Sequence, residues 1–207
     1  ALVKYKLLSV YVFRSYSPST GGEWLVRFNY KPSKSVSAFI QMREETKQRN
    51  TSTDNNLYLT SAATRRNYWV NIDYAATQQL SLKSRVQLST FEFDRSATSG
   101  IVLLQDVSYS RQRWTLAGRY AIFDTENYDN RLYVYERDVW LAFTFPAYSG
   151  KGTRQYLLLQ YKLSQNIDIW LRWSQTRYLN KDTIGSGGET IMGNTDNDVK
   201  FQVRWLF

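Results

Sequence analysis

The chain contains no cysteine and no histidine among its 207 residues. Without cysteine there can be no disulfide bond and no thiolate metal site, and nothing indicates the redox compartment. Without histidine the chain lacks the commonest general base and the commonest transition-metal ligand, which weighs against most hydrolytic chemistry. The sequence therefore predicts a protein that is not an enzyme and that carries no metal and no cofactor.

Long hydrophobic runs are absent as well. No stretch approaches about 18 consecutive apolar residues, which excludes a transmembrane helix, and the first residues lack the three regions of a signal peptide. Hydrophobic residues still make up 43% of the chain and aromatic residues 16%, a composition that disfavours disorder. With only three prolines and repeated period-2 runs, residues 1–207 are predicted to form a single all-β domain.

The last ten residues, 198–207, alternate strictly between apolar and polar side chains. The apolar ones share one face of a predicted strand, and they are Val199, Phe201, Val203, Trp205 and Phe207. This pattern resembles the closing strand of an outer-membrane β-barrel, which typically ends in Phe or Trp after apolar residues at alternate positions. The resemblance implies that the barrel-assembly machinery recognises this terminal strand.

The same alternation recurs along the chain and predicts ten strands. They lie at residues 3–13, 24–31, 36–45, 67–74, 80–88, 101–109, 113–123, 153–163, 167–173 and 198–207. A soluble β-sandwich would produce similar alternation and is retained as an alternative. Aromatic residues near strand ends, and short turns that alternate with longer polar loops such as 47–56 and 94–100, favour an antiparallel transmembrane β-barrel of the bacterial outer membrane.

The order of turns and loops gives each predicted strand a direction. If Phe207 lies at the periplasmic rim, the loop at 179–197 is extracellular. Residues 124–152 then form one extracellular excursion, which projects above the membrane or folds into the mouth of the barrel. In the alternative, residues 132–145 form an eleventh spanning strand. That count would break the even number of strands seen in single-chain bacterial barrels.

The polar faces of the predicted strands carry more basic than acidic side chains. The side chains predicted to face the lumen are Arg27, Arg43, Glu45, Asp73, Lys83, Arg85, Asp106, Arg119, Lys162, Asp168, Arg172, Lys200 and Arg204. We interpret them as an ion-pair network that fills a narrow lumen. The functional alternative is an anion-attracting passage or a track for nucleic acid, in which Lys and Arg neutralise phosphates.

Four segments of the second half carry a resemblance to a known family. They are residues 118–125 (GRYAIFDT), 128–136 (YDNRLYVYE), 146–152 (PAYSGKG) and 171–176 (LRWSQT). Their order and spacing resemble the C-terminal barrel region of large outer-membrane proteins that carry an N-terminal helix-hairpin-helix domain. Several of those proteins are labelled as related to competence or DNA uptake because of that domain. The chain has no Gly-rich hairpin between short helices, so the resemblance implies the barrel and not DNA binding.

The sequence as a whole predicts a non-enzymatic, porin-like integral barrel of the bacterial outer membrane. We expect it to act as a scaffold or transport component within a larger assembly of outer-membrane or periplasmic proteins, with the lipid bilayer as its main partner. A DNA-uptake or nucleic-acid-handling barrel is the first alternative. A soluble β-sandwich that acts as a binding module is the second.

Overall fold

A computed structural model describes residues 20–51, 59–185 and 187–207, and β-strands dominate them. The strands are β1 (Gly21–Tyr30), β2 (Val36–Asn50), β3 (Thr60–Ala75), β4 (Leu80–Phe93), β5 (Ser96–Arg111), β6 (Trp114–Thr125), β7 (Leu132–Tyr133), β8 (Ala147–Tyr148), β9 (Lys151–Lys162), β10 (Ile167–Tyr178), β11 (Thr183–Ile184), β12 (Ile191–Met192) and β13 (Thr195–Trp205). Two 3-10 helices, Tyr128–Asn130 and Gly187–Glu189, complete the elements. Across the described residues, no helix has the length and apolar character needed to cross a membrane.

Nine of these strands form one antiparallel sheet in the order β1-β2-β3-β4-β5-β6-β9-β10-β13. The all-β, antiparallel class predicted from the sequence is therefore confirmed. The nine strands correspond in order to nine of the ten predicted strands, and the remaining one, at residues 3–13, lies outside the described residues. Within the described part of the chain the sheet is open, because its edge strands β1 and β13 do not pair with each other.

Several strands extend further than their alternation predicted. The predicted loop at 94–100 is wrong, and the one at 47–56 begins only after Asn50, with residues 52–56 outside the described residues. Strand β2 continues to Asn50, and residues 94–100 contain only a two-residue turn, in which Asp94 and Arg95 both have positive φ angles. The reason is that the outer face becomes polar in these extensions, so the period-2 signal weakens. On the outer face, for example, Arg66 donates to Glu44 at 2.6 Å and to Glu92 at 2.5 Å across three strands. The loop predicted at 179–197 is likewise shorter, because β13 begins at Thr195.

The cross-strand register gives the sheet one polar and one apolar face. Residues that lie directly opposite each other on paired strands point to the same side. Lys83 lies opposite both Asp73 on β3 and Asp106 on β5, and Asp106 lies opposite Arg119 on β6. The intervening residues on the same strands, such as Leu82 and Val107, belong to the other face.

Residues 126–150 connect β6 to β9, which pair directly with each other, and the connection folds back against the polar face of the sheet. We call this segment the inner hairpin. It contains the first 3-10 helix, the pairing of β7 with β8, and a bridge between Glu136 and Thr144. The alternative eleventh strand at 132–145 does not occur. Apolar contacts hold the hairpin in two places, where Leu132 packs among Val102 and Phe123, and where Val139 packs beside Leu158.

The first of these clusters requires a glycine on β9. A Cβ atom on Gly152 would lie 2.3 Å from the carbonyl oxygen of Arg177 and 3.0 Å from the ring of Phe123. Because no side chain occupies this position, the Phe123 ring packs edge-on against Tyr148 of the hairpin and against Tyr178 of β10, with centroids 5.4 and 5.9 Å apart. The end of the hairpin, at Tyr148, is thereby joined to the sheet.

Candidate functional site

The register brings the predicted lumen residues onto one face of the sheet. All thirteen project from the polar face: Arg27, Arg43, Glu45, Asp73, Lys83, Arg85, Asp106, Arg119, Lys162, Asp168, Arg172, Lys200 and Arg204. Whether that face encloses a lumen stays a prediction. The nine basic and four acidic members leave an excess of positive charge that the strands themselves do not neutralise.

Three of the predicted acidic residues pair with predicted basic residues on a neighbouring strand. Asp106 accepts two hydrogen bonds from Arg119, at 2.5 and 2.8 Å, in a bidentate geometry. Asp73 pairs with Lys83 at 3.1 Å, and Asp168 pairs with Arg204. These cross-strand pairs fix the orientation of the side chains on the polar face. Apart from the pairs made by Asp198 and Asp168, the described cations on the polar face of β9, β10 and β13 have no carboxylate partner on a neighbouring strand.

The carboxylate that neutralises this cation cluster is Glu136, which belongs to the inner hairpin. Its side chain is fully buried. It accepts two hydrogen bonds from Arg154, at 2.8 and 2.9 Å, and one from Arg172 at 2.6 Å. The hydroxyl of Tyr148 donates to the same carboxylate at 3.1 Å. This single buried carboxylate thus attaches the hairpin to β9 and β10, and both of its oxygens accept hydrogen bonds.

Asp138 makes the second charged attachment of the hairpin. Its buried carboxylate accepts hydrogen bonds from Lys200 of β13 at 2.7 Å and from the Val139 N–H at 2.8 Å, and it also bonds Thr144. Burial alone would raise the pKa of Asp138, but these hydrogen bonds outweigh it and hold the pKa below its ordinary 3.8. The stabilisation from this attachment is therefore fully present above pH 3.8, and it is lost as the pH falls through the lower pKa that Asp138 has in the folded protein.

The hairpin is also held where it leaves β6. Asn130, which is fully buried, donates to the Thr98 hydroxyl at 2.5 Å, and its carbonyl oxygen accepts from Ser89 at 3.1 Å. Beside it, Asp129 pairs with Arg49 of β2 at 2.9 Å. Arg65 of β3 donates to the Asp129 carbonyl oxygen, so the first turn of the hairpin contacts four strands of the sheet, from β2 to β5. The apolar pattern of the sequence could not reveal these polar bonds.

From these attachments the hairpin runs almost the full height of the polar face. Asn130 lies near the end of the sheet that carries the connections 51–59, 94–95 and 179–194, which we call the loop end. Trp140 lies near the opposite end, the turn end, where its ring is 5.0 Å from the Arg204 guanidinium. The connections at the turn end are residues 31–35, 76–79, 112–113 and 163–166. The hairpin therefore covers the polar face instead of standing above it.

The hairpin backbone binds two arginines of the sheet. Arg119 donates to the Tyr135 carbonyl oxygen at 2.8 Å, and Arg172 donates to the Arg137 carbonyl oxygen at 3.2 Å. The guanidinium groups of both lie over the ring of Tyr156, at 5.7 and 5.3 Å from its centroid. These two arginines have most of their donors satisfied within the protein, so little of their binding capacity remains for a ligand.

The side of the hairpin that faces away from the sheet is aromatic. Tyr135, Phe143 and Phe145 form a cluster with ring centroids 5.3 to 5.8 Å apart. Phe143 is 80% exposed, and Leu141 at the tip is 83% exposed with a positive φ angle. The hairpin thus has a charged side against β6, β9, β10 and β13, and an apolar side that no other described residue covers.

The apolar face of the sheet is exposed along its whole width. On the edge strands, Phe28 is 67% and Phe201 68% exposed, and in the centre Leu103 is 44% exposed. The one polar pair in the middle of this face, Ser84 and Gln105, is joined by a hydrogen bond of 2.5 Å. Aromatic residues occupy this face at the turn end, and they are Tyr30, Tyr74, Tyr109, Trp114, Tyr161 and Trp205. The rings of Trp114 and Tyr161 are 4.1 Å apart.

The sequence prediction missed the hairpin carboxylates and their partner Arg154. A signal was present in the charge excess of the predicted network, because buried cations need anions from elsewhere in the chain. Glu136 and Asp138 lie between two apolar segments, where nothing in their spacing distinguishes them from solvated loop residues. Among the described residues, no group of three Asp or Glu side chains is arranged to hold a metal ion.

Comparisons of the chain with protein-family models, with curated proteins and with solved structures give no match. The likeness of residues 118–176 to helix-hairpin-helix-linked outer-membrane barrels therefore stays a prediction. The function has to be inferred from the geometry of the sheet and of the inner hairpin.

Proposed function

We propose that the chain forms most of the wall of a transmembrane β-barrel in the bacterial outer membrane, with the inner hairpin filling its interior. The observation that carries this proposal is the inverted polarity of the sheet. Its polar face is covered by the hairpin and contains buried ion pairs, whereas its apolar face is the exposed one. A protein that folds in water buries its apolar faces, so this arrangement fits a sheet whose outer solvent is lipid.

The height of the exposed apolar face fits a bilayer. On β5 it runs from Tyr109 to Ile101, with only Gln105 interrupting it. Eight residue steps of about 3.4 Å give about 27 Å along the strand, or about 21 Å of height at a tilt of about 40°. Outer-membrane barrels have an apolar band about 25 Å tall, flanked by aromatic girdles. The row of Tyr and Trp side chains at the turn end is placed as such a girdle would be.

The outer face of the sheet becomes charged beyond the loop-end edge of the apolar band. At the loop end the outer face carries the network of Glu44, Arg66 and Glu92, to which Trp24 adds a hydrogen bond at 3.1 Å from its indole nitrogen. Charged groups on an outer face are compatible with water or lipid headgroups and not with the hydrocarbon core. Outer-membrane barrels have short periplasmic turns and longer extracellular loops, so we assign the loop end to the extracellular side and the turn end to the periplasm.

The inner hairpin favours a closed scaffold or a gated transport component over an open pore. A barrel of about ten strands has a narrow interior, and the hairpin occupies that face from the loop end nearly to the turn end. Its attachment by Glu136 and Asp138 is ionic, so a change in these few bonds would loosen the middle of the hairpin. Neither role requires an enzyme, a metal or a cofactor.

The exposed closing strand fits the proposed partners. Val199, Phe201, Val203 and Trp205 on β13 are 50 to 70% exposed, and β13 is an edge of the described sheet. An apolar edge strand exposed to water would invite aggregation. Aggregation would be avoided if the barrel-assembly machinery recognises this strand during insertion and lipid then covers its apolar side. Other outer-membrane or periplasmic proteins of an assembly could contact either edge.

The two alternative functions have less support. A soluble β-sandwich needs a second sheet over the apolar face, and the described residues contain none. A track for nucleic acid needs cations that are free to bind phosphates. Arg119 and Arg172 are instead bound to Asp106 and Glu136. Arg85 has no carboxylate within ion-pair distance among the described residues, but it lies in a cavity of about 380 Å³ that does not admit a duplex.

Heat modifiability tests the barrel proposal. We expect the purified chain in mild detergent to migrate on a gel below its mass of 24.4 kDa when unboiled and at that mass after boiling, because an intact barrel resists the gel detergent. Val102→Pro, which interrupts the ladder in the centre of β5, should abolish the shift. A chain that is monodisperse in buffer without detergent and shows no shift would support the soluble sandwich instead.

A further inference from the structure

A basic cavity lies between the polar face and the inner hairpin at the turn end. It has a volume of about 380 Å³. Strands β2 to β6 line one side of it, and the inner hairpin lines the other. A second cavity of about 470 Å³ adjoins it and shares Lys31, Ser37, Asp73, Lys83 and Arg85 with the first. The shared residues make Lys83 and Arg85, two residues apart on β4, the centre of this combined space.

The charge of the first cavity is strongly unbalanced. Its basic side chains are Lys31, Lys34, Lys83, Arg85, Arg119 and Arg137, and its acidic ones are Asp73 and Asp106. Both carboxylates already have partners, since Asp106 is held by Arg119 and Asp73 by Lys83. Within the described residues, no carboxylate lies within ion-pair distance of Lys31, Lys34, Arg85 or Arg137. Lys31, Lys34 and Arg85 are therefore available to an anion, and so is the part of the Arg137 guanidinium that does not donate to Ser108.

Arg85 is oriented to bind with its two terminal nitrogens. Its Nε donates to the Asn71 side-chain oxygen at 3.1 Å, and the Asn71 amide nitrogen donates to Asp73 at 2.7 Å. Asn71 is buried, so it holds the guanidinium plane in one orientation. The Nη1 and Nη2 groups of Arg85 have no hydrogen-bond partner among the described residues. A fixed guanidinium with two parallel free N–H groups matches the two oxygens of a phosphate or carboxylate group.

A neutral donor in the adjoining cavity points to the same kind of ligand. The indole Nε1 of Trp69 is buried and has no acceptor within the described part of the chain, although Trp69 lines that cavity. A buried N–H without an acceptor is costly unless a ligand or water accepts from it. The two cavities thus offer several free donors and few free acceptors, which favours a ligand rich in oxygen acceptors.

We propose that this cavity binds a small phosphate-bearing anion, with Arg85 as the two-pronged ligand and Lys31, Lys34 and Arg137 around it. A volume of about 380 Å³ accommodates inorganic phosphate or a small phosphorylated metabolite but not duplex DNA. The site goes beyond the proposed function, because the cavity belongs to the polar face whether or not the apolar face contacts lipid. In a barrel it would lie at the periplasmic opening.

Calorimetric titration of the full chain in detergent with inorganic pyrophosphate tests the site. We expect saturable binding that weakens as the salt concentration rises, because several cations contribute. Arg85→Gln should weaken binding by about tenfold or more, because it removes the two-pronged contact. Lys34→Gln, a change in an exposed turn that leaves the sheet intact, should weaken it by a smaller factor. Arg113→Gln at the same end, outside both cavities, is the matched control and should leave binding unchanged.

Three results would overturn the assignment. If citrate binds and pyrophosphate does not, the site takes carboxylates and not phosphates. If neither anion binds, the cavity is not an anion site. If Arg113→Gln weakens binding as much as Arg85→Gln does, the attraction is only the diffuse effect of a basic protein. Heat modifiability of each variant is measured in parallel, so a failure of the anion site is distinguishable from a failure of the barrel proposal.

Discussion

Replacement of Glu136 by glutamine is expected to lower the free energy of unfolding by about 3 to 5 kcal/mol. The substitution keeps the size of the side chain but removes the carboxylate that lies closest to both Arg154 and Arg172, at 2.8 and 2.6 Å. The side chain of Arg172 is 1% exposed, so water cannot replace the lost partner. Removal of one member of a buried ion pair typically costs about this much, because the remaining charge stays buried.

Denaturant unfolding in detergent measures this loss, and Asp124→Asn is the matched control. Asp124 pairs with Lys151 at 2.9 Å, but both side chains are more than half exposed, so we expect a change below about 1 kcal/mol. Release of the inner hairpin gives a second readout. Proteases should cut residues 126–150 faster in Glu136→Gln, and planar bilayers should show a higher conductance than with the unsubstituted chain. Equal stability of Glu136→Gln and Asp124→Asn would mean that the ion cluster does not hold the hairpin.

Replacement of Leu103 by arginine is expected to cost about 2 to 4 kcal/mol in lipid vesicles. Leu103 is 44% exposed near the middle of the apolar band on β5. A charged side chain on the lipid face of a barrel costs about this much at the bilayer midplane. The same substitution at a water-exposed position would usually change stability by no more than about 0.5 kcal/mol, so the size of the effect identifies the solvent.

Leu179→Arg is the control for this prediction. Leu179 is 63% exposed, but it lies in the connection after β10, at the loop end of the sheet. If the apolar face contacts lipid, Leu103→Arg should be destabilising in reconstituted vesicles and Leu179→Arg nearly neutral. Two nearly neutral substitutions would show that Leu103 faces water.

The sequence predicted the order and the antiparallel arrangement of the strands well where one face is apolar. Strands β6, β9 and β10 alternate over nearly their whole length, and they occur where their alternation indicated. The extensions of β2 to β5 could not be predicted, because their outer residues are polar and form contacts such as Arg66 with Glu44. Such a stretch has no period-2 signal, although its backbone pairing is the same.

The candidate site was predictable only in part. Each strand's polar face follows from its own alternation, so the cations of the polar face could be named one strand at a time. The partners of those cations could not, because Glu136 lies 36 residues from Arg172 in the chain and reaches it only after the inner hairpin folds back. Residues 131–136 alternate like a spanning strand, although the side that faces the sheet includes Glu136. Only the direct pairing of β6 with β9 shows that these residues do not form a strand of the sheet.

The central claim is that the apolar face of the sheet contacts lipid, and a cysteine scan of β5 tests it most directly. The chain lacks cysteine, so single cysteines at residues 101–109 can each carry one nitroxide label without background. In reconstituted vesicles we expect collisions with oxygen to alternate along the strand. They should be frequent at Leu103 and Val107 and rare at Val102 and Leu104, which the hairpin covers. More frequent collisions of the Leu103 and Val107 labels with a water-soluble nickel chelate than with oxygen would contradict the claim.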